Sequence, residues 1–239
     1  YMDSYGRLPA WLFRMTGGDG TYNFSTYDAE FGILPYASAS SNINATASSL
    51  ETVYHMTGGQ LEQDVQVDAL NIGLTNLSFN GKTLTLGNTG TLGTLLLGKD
   101  LTDASGTLTF TGNEGLIVGN GDPVRIAPRI TGPVALTILG GVDNINATGN
   151  RTLRLSNTNN AFTGGMHILV GRVMPDSTNA NVFGTGDIWV HGLAGTFTEP
   201  DTANHNAFGG QLYLTGGVLT NRLYLAGQGS EGFAALRLS

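Results

Sequence analysis

From about residue 65 onward the chain is a succession of short runs of two-residue alternation. Each run stops after a few residues at Gly, Asn or Asp. Thr83-Leu84-Thr85-Leu86 runs into Gly87-Asn88, and Gly106-Thr107-Leu108-Thr109-Phe110 runs into Thr111-Gly112-Asn113. Leu116-Ile117-Val118, Leu136-Thr137-Ile138, Leu153-Arg154-Leu155, Ile188-Trp189-Val190, Leu212-Tyr213-Leu214 and Leu223-Tyr224-Leu225 follow in the same manner. Alternation of this length places one side chain in two on each side of a strand, which is the pattern of half-buried β-structure. No stretch sustains a helical period, and Gly, Thr and Asn are weak helix formers. The chain is expected to be all-β, with helix nearly absent.

The punctuation decides between β architectures. A sandwich or barrel needs longer strands joined by hairpin turns such as Asn-Gly, which Asn80-Gly81 and Asn120-Gly121 could supply. Most breaks here are a single Gly or a Gly-Gly pair between very short strands. Short strands with repeated corners fit a coil in which each turn stacks on the last, with inward Leu, Val, Ile and Phe forming one continuous core. At roughly 20 residues per turn, residues 65–239 would give about nine turns standing ~40 Å tall. The fold expected is a right-handed parallel β-helix. Residues 1–64 read differently: Pro9, Trp11 and Phe13 are followed by an Ala/Ser/Asn-rich run from Tyr36 to Leu50. This segment is expected to be an irregular N-terminal cap that covers the first turn, since an exposed sheet edge pairs indiscriminately.

Composition narrows the class of partner. With 36 Gly but 7 Pro and no three-residue period, collagen is excluded. A net charge of -7, from 18 acidic and 11 basic residues, offers no concentrated basic surface for nucleic acid. No apolar run reaches the ~18 residues of a membrane helix, so no membrane span is expected. With no Cys there are no disulfides, thiolate metal sites or thiol chemistry. The chain opens at Tyr1 and closes at Leu236-Arg237-Leu238-Ser239 in a strand-like run, which suggests processing or a piece of something longer. A strand edge left open there would pair with a further copy, so self-association, head to tail in a filament, is the expected partner relation.

One passage resembles a known family. Arg151-Thr152-Leu153-Arg154-Leu155-Ser156, then Asn160-Ala161-Phe162-Thr163-Gly164-Gly165, then Ile168-Leu169-Val170-Gly171-Arg172-Val173 is similar to the autotransporter-associated β-strand repeat. That pattern is a T-L-x-L-S strand, an N-x-(Y/F)-T-G-G turn, and a strand leading to Gly and an aliphatic residue. Ala180-Asn181-Val182-Phe183-Gly184-Thr185-Gly186-Asp187-Ile188 resembles the step that follows, and Val65 to Leu86 the usual lead-in. One extra residue lies between Ser156 and Asn160, and Arg172 stands where the family has a small residue. The resemblance implies a right-handed β-helix from a large exported bacterial protein: a surface passenger, an adhesin or a structural fibre. It carries no catalytic residues. The repeat turn Asn160, Phe162, Thr163, Gly164 and Gly165 is its most specific element.

A catalytic or metal site is not expected. Glycoside hydrolysis needs two carboxylates within about 5–10 Å, yet there is no Asp-Asp pair. Asp100, Asp103, Asp122, Asp143, Asp176, Asp187 and Asp201 mostly stand beside Gly, Pro or Asn, which is turn chemistry. Gly17-Gly18-Asp19-Gly20 is similar to a calcium repeat but occurs once and reads as a turn. His55, His167, His191 and His205 lack metal-like spacing. No cofactor is implied. The candidate site is instead an outward row: if the flanking Leu, Ile and Val point inward, Arg154, Trp189, Tyr213, Tyr224 and Arg237 point out. Aromatic and Arg side chains are favoured in binding patches, but Tyr and Trp also simply suit sheet faces. Phe79, Phe110, Phe162, Phe183 and Phe208 read as core or turn plugs. The function expected is a non-enzymatic extracellular structural or adhesive β-solenoid of a bacterial surface. The alternative is a carbohydrate-binding or carbohydrate-cleaving β-helix using Trp189, Tyr213 and Tyr224 as stacking platforms, with surface glycans as partners.

Overall fold

The structure is a computed structural model. It describes residues 13–16, 21–30, 32–35, 43–44, 53–56, 59–73, 75–119, 123–140, 152–176, 180–192, 209–227, 229 and 234–239. Phe208, His205 and the Gly17–Gly20 turn lie outside these residues.

Alternation and corner residues build a parallel β-solenoid with three faces. The first face stacks Val53–Met56, Ala69–Ile72, Leu92–Leu97, Glu114–Gly119, Leu136–Leu139, the opening half of Met166–Pro175, Ile188–His191 and Leu223–Ala226. The second stacks Gly59–Gln60, Leu77–Ser78, Leu101–Thr102, Val124–Ile126, Thr152–Leu155, the closing half of Met166–Pro175, Gly210–Leu214 and Leu236–Leu238. The third stacks Val65–Val67, Thr83–Leu86, Thr107–Phe110, Arg129–Gly132 and Ala161–Phe162. Every pairing within these faces is parallel, and the chain visits first, second and third face in turn before rising one coil. The ladder's first strands, Val53–Met56 and Gly59–Gln60, lie ahead of residue 65; the third face begins at Val65. Further upstream, Phe13–Thr16, Thr21–Asp28 and Gly32–Pro35 form a separate three-stranded antiparallel sheet. The 3-10 turn Ala180–Phe183 is the one helical element among the described residues.

Register turns the sequence pattern into a core. Leu70, Leu95, Ile117, Ile138, Ile168 and Val190 stack in consecutive coils of the first face. Leu84, Leu108 and Ile130 do so in the third, and Val124, Leu153, Val173 and Leu212 in the second. All are buried and belong to one cluster, together with Phe79, Phe110, Phe162 and Phe183. Leu225 and Leu238 extend two inward columns but stay 48% and 69% exposed, because no further coil among the described residues covers them. The first face carries eight strands, about 34 Å of stacking at 4.8 Å per step. The expected nine turns are not reached because some coils are longer than 20 residues. Leu136–Leu139 and Thr152–Leu155, and again Ile188–His191 and Gly210–Leu214, are first- and second-face strands of one coil set far apart in sequence.

That same corner is taken without a break in the ten-residue strand Met166–Pro175, which joins both faces into one fifteen-stranded sheet. Gly171 makes this possible. Its φ is +78°, and a Cβ there would sit 1.9 Å from the carbonyl oxygen of Gly140.

The outer side of the first face changes character along the axis. Ala69, Leu96, Leu116 and Val118 point away from the core yet are buried in a second apolar cluster, with Leu92 and Leu139 packed against it. This is why Leu95-Leu96-Leu97 and Leu116-Ile117-Val118 are apolar without alternation: both sides of these strands are covered. Further along, the outer side becomes polar and aromatic.

Candidate functional site

In-register parallel stacking sets identical positions of successive coils about 4.8 Å apart, close to the spacing of stacked rings. On the outer side of the first face this places Thr137, His167, Trp189 and Tyr224 in one column. The His167 and Trp189 rings lie 4.5 Å apart and 4° from parallel; Trp189 and Tyr224 follow at 5.4 Å and 6°. The column is a ring ladder, with both faces of Trp189 occupied by its neighbours.

His191, two residues after Trp189 on the same side of the strand, leans back to His167. Its Nε2 lies 3.0 Å from Nδ1 of His167, with ring centroids 5.3 Å apart and planes 23° from parallel. The centroid separation is what two imidazoles show when they meet edge to edge through those two nitrogens. Burial first, and then the charge of His191, hold the His167 imidazole below its ordinary pKa, against an opposing pull from Glu114. The Thr137 hydroxyl donates to the Glu114 carboxylate. These groups border an open cleft of about 350 Å³ whose floor includes Ala135 and Leu169. A register slip between Ile138 and Leu139 leaves Leu169 as the extra residue of a bulge beside it.

The five residues expected to form one outward row fall into two. Trp189 and Tyr224 belong to the first face, whereas Arg154, Tyr213 and Arg237 stand on the outer side of the second. Arg125 pairs with Arg154 in register, and both guanidinium groups reach Asp176 at 3.4 Å. Ser156 Oγ donates to the same carboxylate at 3.0 Å. Tyr213 has the Arg172 and Arg237 guanidinium groups over its ring, at 5.5 and 4.7 Å from the centroid. Arg172 is buried and its Nε donates to Gln211 Oε1 at 2.8 Å.

The repeat turn is a structural device. Asn160 is buried; its side-chain oxygen accepts from the Ile130 N–H and its nitrogen donates to the Val182 carbonyl, both at 2.7 Å. One amide therefore ties the coil below to the coil above. Phe162 is fully buried, and Thr163 N–H donates to Gly132 at 3.0 Å. Gly165 holds φ at +89° where the chain turns back toward the first face. Asn157 supports the preceding corner, between the second and third faces, donating from Nδ2 to the carbonyls of Ala104 and Ala127.

The His167–His191 pair was not legible from linear spacing, because it depends on the coil. A separation of one coil plus two residues brings the imidazoles together, and the period of roughly 22 seen in Thr94, Leu116 and Thr137 is the signal that could have found it. Among the described residues, no three His, Asp or Glu side chains converge as a metal cluster. No helix among them is long and apolar enough to cross a membrane. Comparison of the chain with protein-family models, with curated proteins and with solved structures gives no match.

Proposed function

We propose that this chain is a structural and adhesive β-solenoid segment of an exported bacterial surface protein, built from autotransporter-type repeats, and that it works without catalysis. One observation carries the reading: the passage resembling the repeat closes on itself as a single coil. Thr152 pairs with Arg172 and Leu153 with Val173, so the motif's first strand and its last residues are stacked neighbours. Between them lie the Asn160 tie, the buried Phe162 and the Gly165 corner. A motif whose every distinctive residue serves stacking is what a rod-forming repeat requires. The acidic groups support the same view. Asp176 clasps Arg125 and Arg154, and Asp103 accepts hydrogen bonds from Ser105 and from the Gly81 N–H.

The mechanism is mechanical. Backbone hydrogen bonds run along the axis, a column of aliphatic and Phe side chains fills the tube, and the outer sides of the faces are left to meet partners. The alternative, sugar stacking on Trp189, Tyr213 and Tyr224, has less support. The faces of Trp189 are taken by His167 and Tyr224, and Tyr213 is already engaged by two arginines.

The test is protease shaving of intact cells of the native source, followed by detection of this chain. Release or cleavage without lysis is the expected result. Protection until the cells are broken open would overturn the assignment to the surface.

A further inference from the structure

The contact between His167 and His191 serves neither the core nor the backbone ladder. The two imidazoles come from adjacent coils, and their facing nitrogens are 3.0 Å apart at the edge of an open cleft. We propose that this pair is a two-point chelating site for a divalent transition ion of imidazole-seeking type, Cu2+ or Ni2+ foremost, which replaces the hydrogen bond between the rings.

Geometry supplies the first argument. Two nitrogens bound cis at 2.0–2.1 Å to a square-planar or octahedral ion are about 2.9 Å apart, and the pair is already at that separation. The rings now face each other edge to edge, so one must swing for both lone pairs to converge. The structure divides these roles. His167 is held by Trp189 stacked on its face, whereas His191 is exposed and its ring contact is with His167 itself. The second argument is the remaining coordination sphere. Two protein nitrogens leave positions for water, and the open cleft has room for it. The Glu114 carboxylate, engaged with Thr137 in the same cleft, adds negative charge beside a cation. The third is mechanical. The ligands belong to consecutive coils, so a bound ion would staple Met166–Pro175 to Ile188–His191.

The experiment is calorimetric titration of the full chain with Ni2+ and with Cu2+ in a non-chelating buffer at neutral pH. Electron paramagnetic resonance of the Cu2+ complex runs alongside. One saturable site is expected, with copper bound more tightly than nickel and with hyperfine structure from two nitrogens. His191→Asn and His167→Asn are each expected to weaken binding at least tenfold. The His55→Asn/His205→Asn double variant is expected to leave it unchanged. Thermal unfolding separates loss of site from loss of fold: Ni2+ should raise the midpoint of the parent chain, while His191→Asn should keep its metal-free midpoint and lose the increment. Absence of saturable binding would overturn the proposal. So would binding that survives His191→Asn, or that disappears with His55 and His205.

Discussion

Single residues carry this fold through what they do for the neighbouring coil. Asn160 spends both ends of its amide on backbone groups of other coils, Ile130 N–H and the Val182 carbonyl. Asn160→Ala leaves both buried and unpaired, at a cost of about 1–3 kcal/mol. Urea unfolding should show that loss, and Asn160→Asp should not restore it, because a carboxylate cannot donate to Val182. His167 makes stability depend on pH. Its imidazole is held below the ordinary value of 6.5 mainly by burial, so the folded chain binds this proton less tightly than the unfolded chain does. Its contribution is complete above about pH 6.5 and is lost progressively as the pH falls below that value. Thermal midpoints measured with a chelator present should therefore decline from pH 7.5 to 5.5, and His167→Asn should flatten that segment of the profile.

At the scale of the element, strands were legible and their assignment to faces was not. The alternation in Thr83–Leu86 and Thr107–Phe110 corresponds to third-face strands buried on one side only. In Leu92–Leu97 and Glu114–Gly119 the alternation vanishes because the outward side chains Leu96, Leu116 and Val118 are buried as well, in an apolar cluster of their own. The outward residues were found by parity, which is local, whereas the face each occupies depends on how many residues each corner absorbs. Trp189 and Tyr213 thus read as one row and stand on two faces. The corner itself gives a test. At Gly171 any side chain meets both an unfavourable φ and the Gly140 carbonyl, so Gly171→Ala should cost about 3 kcal/mol or more in chemical unfolding. Exposed Gly90, also at positive φ but with open space around its Cβ position, should cost distinctly less when changed to Ala.

At the scale of the whole molecule, the fold was legible as a class. Short strands, Gly and Asn corners, low charge and one recognisable repeat pointed to a solenoid. The side-chain ladders, the ion-pair clasp at Asp176 and the imidazole pair are products of stacking, and the linear order carries them only through the coil period. All of them rest on one claim: residues about one coil apart are direct neighbours in parallel register. The absence of Cys makes that claim directly measurable. Thr85, Thr109 and Thr131 stand in one outward column of the third face, and the Thr109 and Thr131 hydroxyls are 2.8 Å apart. Cysteine pairs at 85/109 and 109/131 lie one step of about 4.8 Å apart, within disulfide reach, whereas 85/131 lie two steps apart and beyond it. Under mild oxidation the first two pairs should form intramolecular disulfides in high yield and the third should not. Failure of both near pairs, or equal crosslinking of all three, would contradict the stacked coil and every site built on it.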